Sequence, residues 1–81
     1  MKATVKVFAL ARQLTGQDAL VVDLPSGATV ADLRRAIAGQ HPALADLVAH
    51  ALFAVNAQYA TDTTPIPAVA DLACIPPVSG G

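Results

Sequence analysis

Between residues 3 and 10 the side chains alternate, with Val5, Val7 and Ala9 on one parity and Thr4, Lys6 and Phe8 on the other. A period of two places neighbours on opposite faces, so this stretch predicts a half-buried strand. Residues 12–18 are polar and predict a connection with one short turn ending at Gly16. Residues 19–24 (A-L-V-V-D-L) predict a second strand, close enough to pair antiparallel with the first, and Pro25-Ser26-Gly27 stops it. The period then changes. Val30, Leu33 and Ile37 recur at helical spacing behind Thr29, whose hydroxyl suits an N-cap, while Asp32 suits the positive end of a helix. Arg34 and Arg35 read as the wet face of that helix, which Gly39 and Pro42 bring to an end. Leu44, Leu47, Val48 and Ala51 form the stripe of a shorter helix over residues 43–51. Residues 52–57 predict a third strand and residues 70–75 a final one, separated by an irregular stretch rich in Thr, Asp and Pro around residues 61–67.

The sum is β-β-α-(α)-β-β, an α+β roll of the β-grasp kind. It predicts a mixed sheet with one main helix packed on one face and the other face open to solvent or a partner. At 81 residues the chain holds one domain, expected over residues 1–75, with residues 76–81 as a tail. The apolar fraction is 54%, but Ala supplies much of it, so the core is expected to be thin. A net charge of −1 with scattered basic residues gives no electrostatic basis for binding nucleic acid. The lone Cys74 excludes an internal disulfide and suits a reducing compartment. No apolar run approaches the ~18 residues that span a bilayer. The first 11 residues loosely imitate a signal peptide, but Lys6 interrupts them and they alternate like a strand, so a cytoplasmic protein is expected.

The chain ends Pro-Pro-Val-Ser-Gly-Gly. Pro76 and Pro77 cannot donate ladder hydrogen bonds and favour extended backbone, so the tail is expected to leave the sheet as an arm. Val78 and Ser79 are small, and Gly80 and Gly81 have no side chains, which suits threading into a narrow channel with a bare carboxylate at the tip. A carboxylate is a poor electrophile until activated. Adenylation by ATP would supply a leaving group, and a sulfur nucleophile could then displace AMP to give a C-terminal thiocarboxylate. A terminal Gly-Gly can also be a frayed end, but a frayed end has no need of the rigid Pro-Pro lead.

Four segments carry a family resemblance: V-K-V-F-A-L-A-R-Q-L-T-G at 5–16, T-V-A-D-L-R at 29–34, A-V-N at 54–56 and I-P-P-V-S-G-G at 75–81. Together they resemble the MoaD/ThiS family of ubiquitin-like sulfur carriers, and most closely its MoaD branch, the small subunits of molybdopterin synthase. The resemblance implies that an E1-like enzyme adenylates Gly81, with Gly80 beside it, and that a sulfurtransferase completes the thiocarboxylate. It implies further that a large, MoaE-like synthase subunit receives the arm, where sulfur passes to a pterin precursor and builds the dithiolene that holds molybdenum. No bound cofactor is expected, and the catalytic side chains are expected in the partner. The family commonly has a Gly-Asp turn before the last strand, where this chain has Val69 and Ala70. A bulky residue is also common just before Pro-Pro, near the small Cys74.

Strand parity predicts the docking face. Phe8 lies opposite the Val5/Val7 parity, and Ile75 lies opposite Leu72 and Cys74. Apolar side chains on an open face suggest a covered surface, although isolated exposed apolar residues are common on any protein. The resemblance also assigns Phe8, Tyr59 and Ile75, with Pro76, Pro77, Val78 and Ser79 of the arm, to partner contact. Cys74 reads as a core thiol with no basic neighbour to activate it, and His41 and His50 read as surface residues without metal-ligand spacing. Arg12 suits either a partner contact or a solvated turn. The competing functions are a carrier for thiamine or cysteine synthesis, a protein modifier that joins Gly81 to a lysine, and an interaction domain with an inert tail.

Overall fold

The computed structural model describes residues 1–76. The alternation at the start of the chain becomes strand β1 (Lys2–Val7), with Ala3, Val5 and Val7 buried and the residues between them exposed. β2 (Ala19–Asp23) pairs with it antiparallel, Thr4 opposite Val21 and Lys6 opposite Ala19. The main helix α2 (Val30–Gln40) buries Val30, Leu33 and Ile37, the predicted stripe. A 3-10 turn (Pro42–Leu44) leads into the short helix α3 (Ala45–His50), and strands β3 (Leu52–Val55), β4 (Gln58–Ala60) and β5 (Leu72–Ile75) follow. The five strands lie in the order β2-β1-β5-β3-β4. β1 and β5 run parallel and the other neighbouring pairs antiparallel. One face of this sheet meets α2 in a core that includes Val5, Val22, Phe53, Leu72, Cys74, Leu33 and Ile37. This is the ubiquitin-like β-grasp expected from the pattern.

Local chemistry sets the start of α2. The Asp32 amide donates to Thr29 Oγ1 and the Thr29 amide donates to Asp32 Oδ2, at 2.9 Å for the latter, so each residue satisfies an end group of the other. The hydrogen bond from the Thr29 backbone holds the Asp32 carboxyl below its ordinary pKa. At the far end of α2 the Gln40 side-chain amide accepts from the Asp23 amide at 2.9 Å and donates to the Asp23 carbonyl at 3.0 Å. Gln40 thereby imitates a neighbouring strand and blunts the outer edge of β2.

Three expectations need correction. Residues 12–18 are not simply a polar connection: helix α1 (Ala9–Thr15) occupies most of this stretch and takes the last residues of the expected first strand. Ala, Leu, Arg and Gln are good helix formers, and Ala11 is fully buried while Gly16, at φ 69°, closes the helix by donating to the Arg12 carbonyl. Secondly, the region after residue 57 contains β4, which pairs Tyr59 with Ala54 through a two-residue turn at Asn56 and Ala57. Both turn residues have positive φ, 51° and 67°, a hairpin geometry usually announced by Asn-Gly. Thirdly, Arg34 is not on the wet face. Its side chain is 24% exposed and reaches the carbonyls of Val48 and Ala51 and the carboxylate of Asp62. Arg35 is exposed as expected and pairs with Asp32.

Candidate docking face and the root of the tail

β5 is the middle strand of the sheet and carries the chain out to Pro76. Its burial alternates, Leu72 and Cys74 inward and Ala73 and Ile75 on the other face at intermediate exposure. Register then decides which residues surround the tail's origin. Leu52 of β3 lies directly opposite Ile75, so the two share the open face. On the other side Val7 pairs with Cys74 in parallel, which leaves Phe8, the next residue and still extended, beside Ile75 at the strand ends. Phe8 is 48% exposed and Leu52 54%. The strand that launches the tail is therefore flanked on both sides by exposed apolar side chains.

One register step further from the tail, Lys6, Ala73, Ala54 and Tyr59 form a row across β1, β5, β3 and β4. Tyr59 closes this row at the sheet edge and is 74% exposed. Beyond the row the face is mixed, with Thr4 opposite the exposed Val21. Lys6 pairs with Asp71 at 3.4 Å, and the Asp71 amide donates to Asn56 Oδ1 at 2.9 Å. The Asn56 amide returns a bond to the Asp71 carbonyl at 2.8 Å, so Asn56 fixes the approach to β5 although Val69 and Ala70 replace the family's usual turn. The open face thus holds the Lys6–Asp71 pair beside the apolar side chains at the end of β5, with the exposed Val21 further along on β2. Covering its half-exposed Phe8 and Leu52 would contribute about 1 kcal/mol each.

Among the predicted contact residues, Phe8, Ile75 and Pro76 come together at the tail's root and Tyr59 stands in the adjoining row. Pro77, Val78, Ser79, Gly80 and Gly81 lie outside the described residues. Leu52 was not among the predicted contacts. Its signal was the buried parity of Phe53 and Val55, but its place beside Ile75 depends on a pairing of distant segments. Arg12 forms an exposed ion pair with Asp18 at 2.7 Å.

Cys74 lies fully buried behind this face, and desolvation pushes its thiol from an ordinary 9.0 up to about 11. It is a neutral core side chain at physiological pH. Among the described residues no group of three or more metal-ligating side chains occurs, and no helix is long and apolar enough to cross a membrane. What the described residues offer is an exposed apolar surface around the end of β5.

Comparison with known proteins agrees with this geometry. The ThiS family profile matches residues 5–81, and the chain belongs to that family of ubiquitin-like β-grasp sulfur carriers. Its relatives include proteins named molybdopterin synthase sulfur carrier subunit. The one from Arabidopsis thaliana is 36% identical over 77 residues, spanning 95% of this chain and 80% of the relative. The crystal structure of small archaeal modifier protein 1 from Haloferax volcanii superposes with a TM-score of 0.80 at 30% identity, covering 95% of this chain and 98% of the other. A complex of subunits 1 and 2 of the molybdopterin-converting factor from Helicobacter pylori contains a chain with the same fold, at a TM-score of 0.67 and 21% identity, each chain covered in full.

Proposed function

We propose that this protein is the sulfur carrier subunit of a molybdopterin synthase. The observation that carries the proposal is the placement of the tail's root, on the central strand between the exposed Phe8 and Leu52, so that whatever docks on this face is positioned to receive the residues after Pro76. The names of the relatives support the pathway, and family membership supports the sulfur chemistry.

In this reading residues 1–75 are the docking body and residues 76–81 are the arm. An E1-like enzyme binds the body and brings the Gly81 carboxylate to ATP. A carboxylate oxygen attacks the α-phosphate, pyrophosphate leaves, and the acyl adenylate forms. Hydrosulfide released by a sulfurtransferase system then attacks the Gly81 carbonyl carbon, and the C–O bond to AMP breaks. AMP departs, the proton passes to solvent, and a thiocarboxylate remains. The large synthase subunit takes the arm into its active site, where sulfur passes to the pterin precursor. Gly80 and Gly81 let the partner close on bare backbone, and Pro76, Pro77, Val78 and Ser79 span the distance from the body. ATP is consumed by the activating enzyme. No cofactor resides on this chain.

Reconstitution tests the pathway. Thiocarboxylated protein, mixed with the large subunit of its own organism and the pterin precursor, is expected to yield the dithiolene product in proportion to carrier added. No product, while another organism's carrier supports the same large subunit, would reject the assignment. The likeness to a protein named a modifier favours one second reading, in which the activated Gly81 forms an isopeptide bond with a lysine. Ladders of high-mass conjugates in lysate, absent when Gly81 is deleted, would identify that activity.

A further inference from the structure

Ile75 faces the open side of the sheet, and Pro76, the next residue, lines a second apolar surface. On the helical side, α1 and the segment from the 3-10 turn into α3 leave a groove of about 500 Å³ lined by Leu10, Leu14, Ala43 and Leu47, with Asp46 and Pro76 completing it. Leu10 and Leu14 are one helical turn apart and so share a face of α1. They are 51% and 49% exposed. The helix anchors itself to the core through Ala11, its only buried residue, so its two leucines are not needed to bury its inner face. Asp46 makes no ion pair among the described residues.

The position of this groove limits what can cover it. Five residues follow Pro76, and at full extension they reach no more than about 18 Å. A protein that holds the Gly81 carboxyl group in its active site therefore opens within that distance of Pro76. A stable interface covers about 800 Å² on each partner, a disc of roughly 16 Å radius. Centred on Pro76, such a disc takes in the leucine groove that Pro76 lines and meets the end of the open face at the neighbouring Ile75. A partner that forms one synthase with its carrier needs a durable contact, which two apolar flanks supply better than one.

We infer that the groove between α1 and α3 is a second contact surface for the large synthase subunit. It receives an aliphatic side chain of that subunit, next to a basic side chain that meets Asp46. This inference rests on the proposed function and adds to it a contact away from the sheet face.

The test uses Leu14→Lys and, as a milder change, Leu10→Gln in the full chain. Both side chains are half exposed and both replacements suit a helix, and a thermal melt confirms folding. Affinity for the purified large subunit is measured by calorimetry beside Leu52→Asp, which probes the sheet face alone. Leu14→Lys is expected to weaken binding about tenfold or more, Leu10→Gln less, with melting unchanged. Normal binding by both groove variants, with Leu52→Asp weakened, would overturn this inference and leave the sheet-face reading intact. Weakening confined to the activating enzyme would overturn it as well. Normal binding by all three variants, or no binding by the unaltered protein, would overturn both readings.

Discussion

The Arg34 guanidinium lies over the ring of Phe53, 5.0 Å from its centroid. From there it donates to the carbonyls of Val48 and Ala51 at the end of α3 and to Asp62 Oδ1 beyond β4, the last at 2.9 Å from Nη2. A single cation thus satisfies the exposed end of one helix, anchors a loop and covers the core beneath β3. Phe53 sits between Leu52 and Ala54 of the open face, so the same lock steadies the strand that presents them. Replacing Arg34 with Ala leaves helix carbonyls without a donor and Asp62 without its counter-ion. A loss of about 3 kcal/mol is expected in urea denaturation. Arg34→Lys is expected to fall between, because an ammonium cannot fork to these acceptors from one position.

The β3–β4 turn holds Ala57 at φ 67°, where a Cβ is unfavourable by about 1–2 kcal/mol. Ala57→Gly is therefore expected to raise stability by roughly 0.5–1 kcal/mol, part of the relief being offset by the greater freedom of glycine in the unfolded chain. Asn56→Ala is expected to act in the opposite direction by about 1–2 kcal/mol, since it removes the acceptor for the Asp71 amide and puts a second Ala in the left-handed region. Denaturant midpoints of the two variants check both signs.

Cys74 gives the protein a calculable alkaline limit. Its folded thiol titrates at about 11 against an ordinary 9.0. Below about pH 8 both states hold the proton and the residue adds no pH dependence. Between these values the unfolded chain loses its proton first, so stability falls as pH rises, by about 2–3 kcal/mol in total. The difference between the unaltered protein and Cys74→Val isolates this residue and is the informative curve. That difference is expected to be flat below pH 8 or so and to open toward pH 11.

Leu52 separates binding from folding. It is more exposed than buried and pairs only across the open face with Ile75. Leu52→Asp is expected to change stability by less than about 1 kcal/mol and to weaken affinity for the large subunit about tenfold or more. Calorimetric titration beside a thermal melt gives both quantities.

Features that depend on neighbours in the chain were legible in the sequence. The Thr29/Asp32 cap is local chemistry, the stripe of Val30, Leu33 and Ile37 is a periodicity, and the inward parity of Cys74 follows from a single strand. The rest depended on distant segments or on an unusual choice of residue. Helical spacing alone could not reveal that the end of α3 and Asp62 would lie opposite Arg34. Parity ran past the true end of β1 because Ala9 and Leu10 continue in sequence an alternation that the backbone ends at Ala9, whose φ is 52° and which opens α1. β4 stayed hidden because its turn has Ala57 where a glycine would have marked a hairpin. At the docking face, Phe8 and Ile75 were readable from parity, whereas Leu52 needed the β3–β5 register.

The central claim concerns Gly81, and intact-mass spectrometry tests it directly. The protein is incubated with ATP, the E1-like enzyme of its own organism and a sulfur source, beside a control lacking Gly81. The predicted result is a mass increase equal to the exchange of one oxygen for sulfur, present in the full chain and missing from the control. An unchanged mass, with the same enzymes shown to thiocarboxylate another carrier, would contradict the sulfur-carrier function.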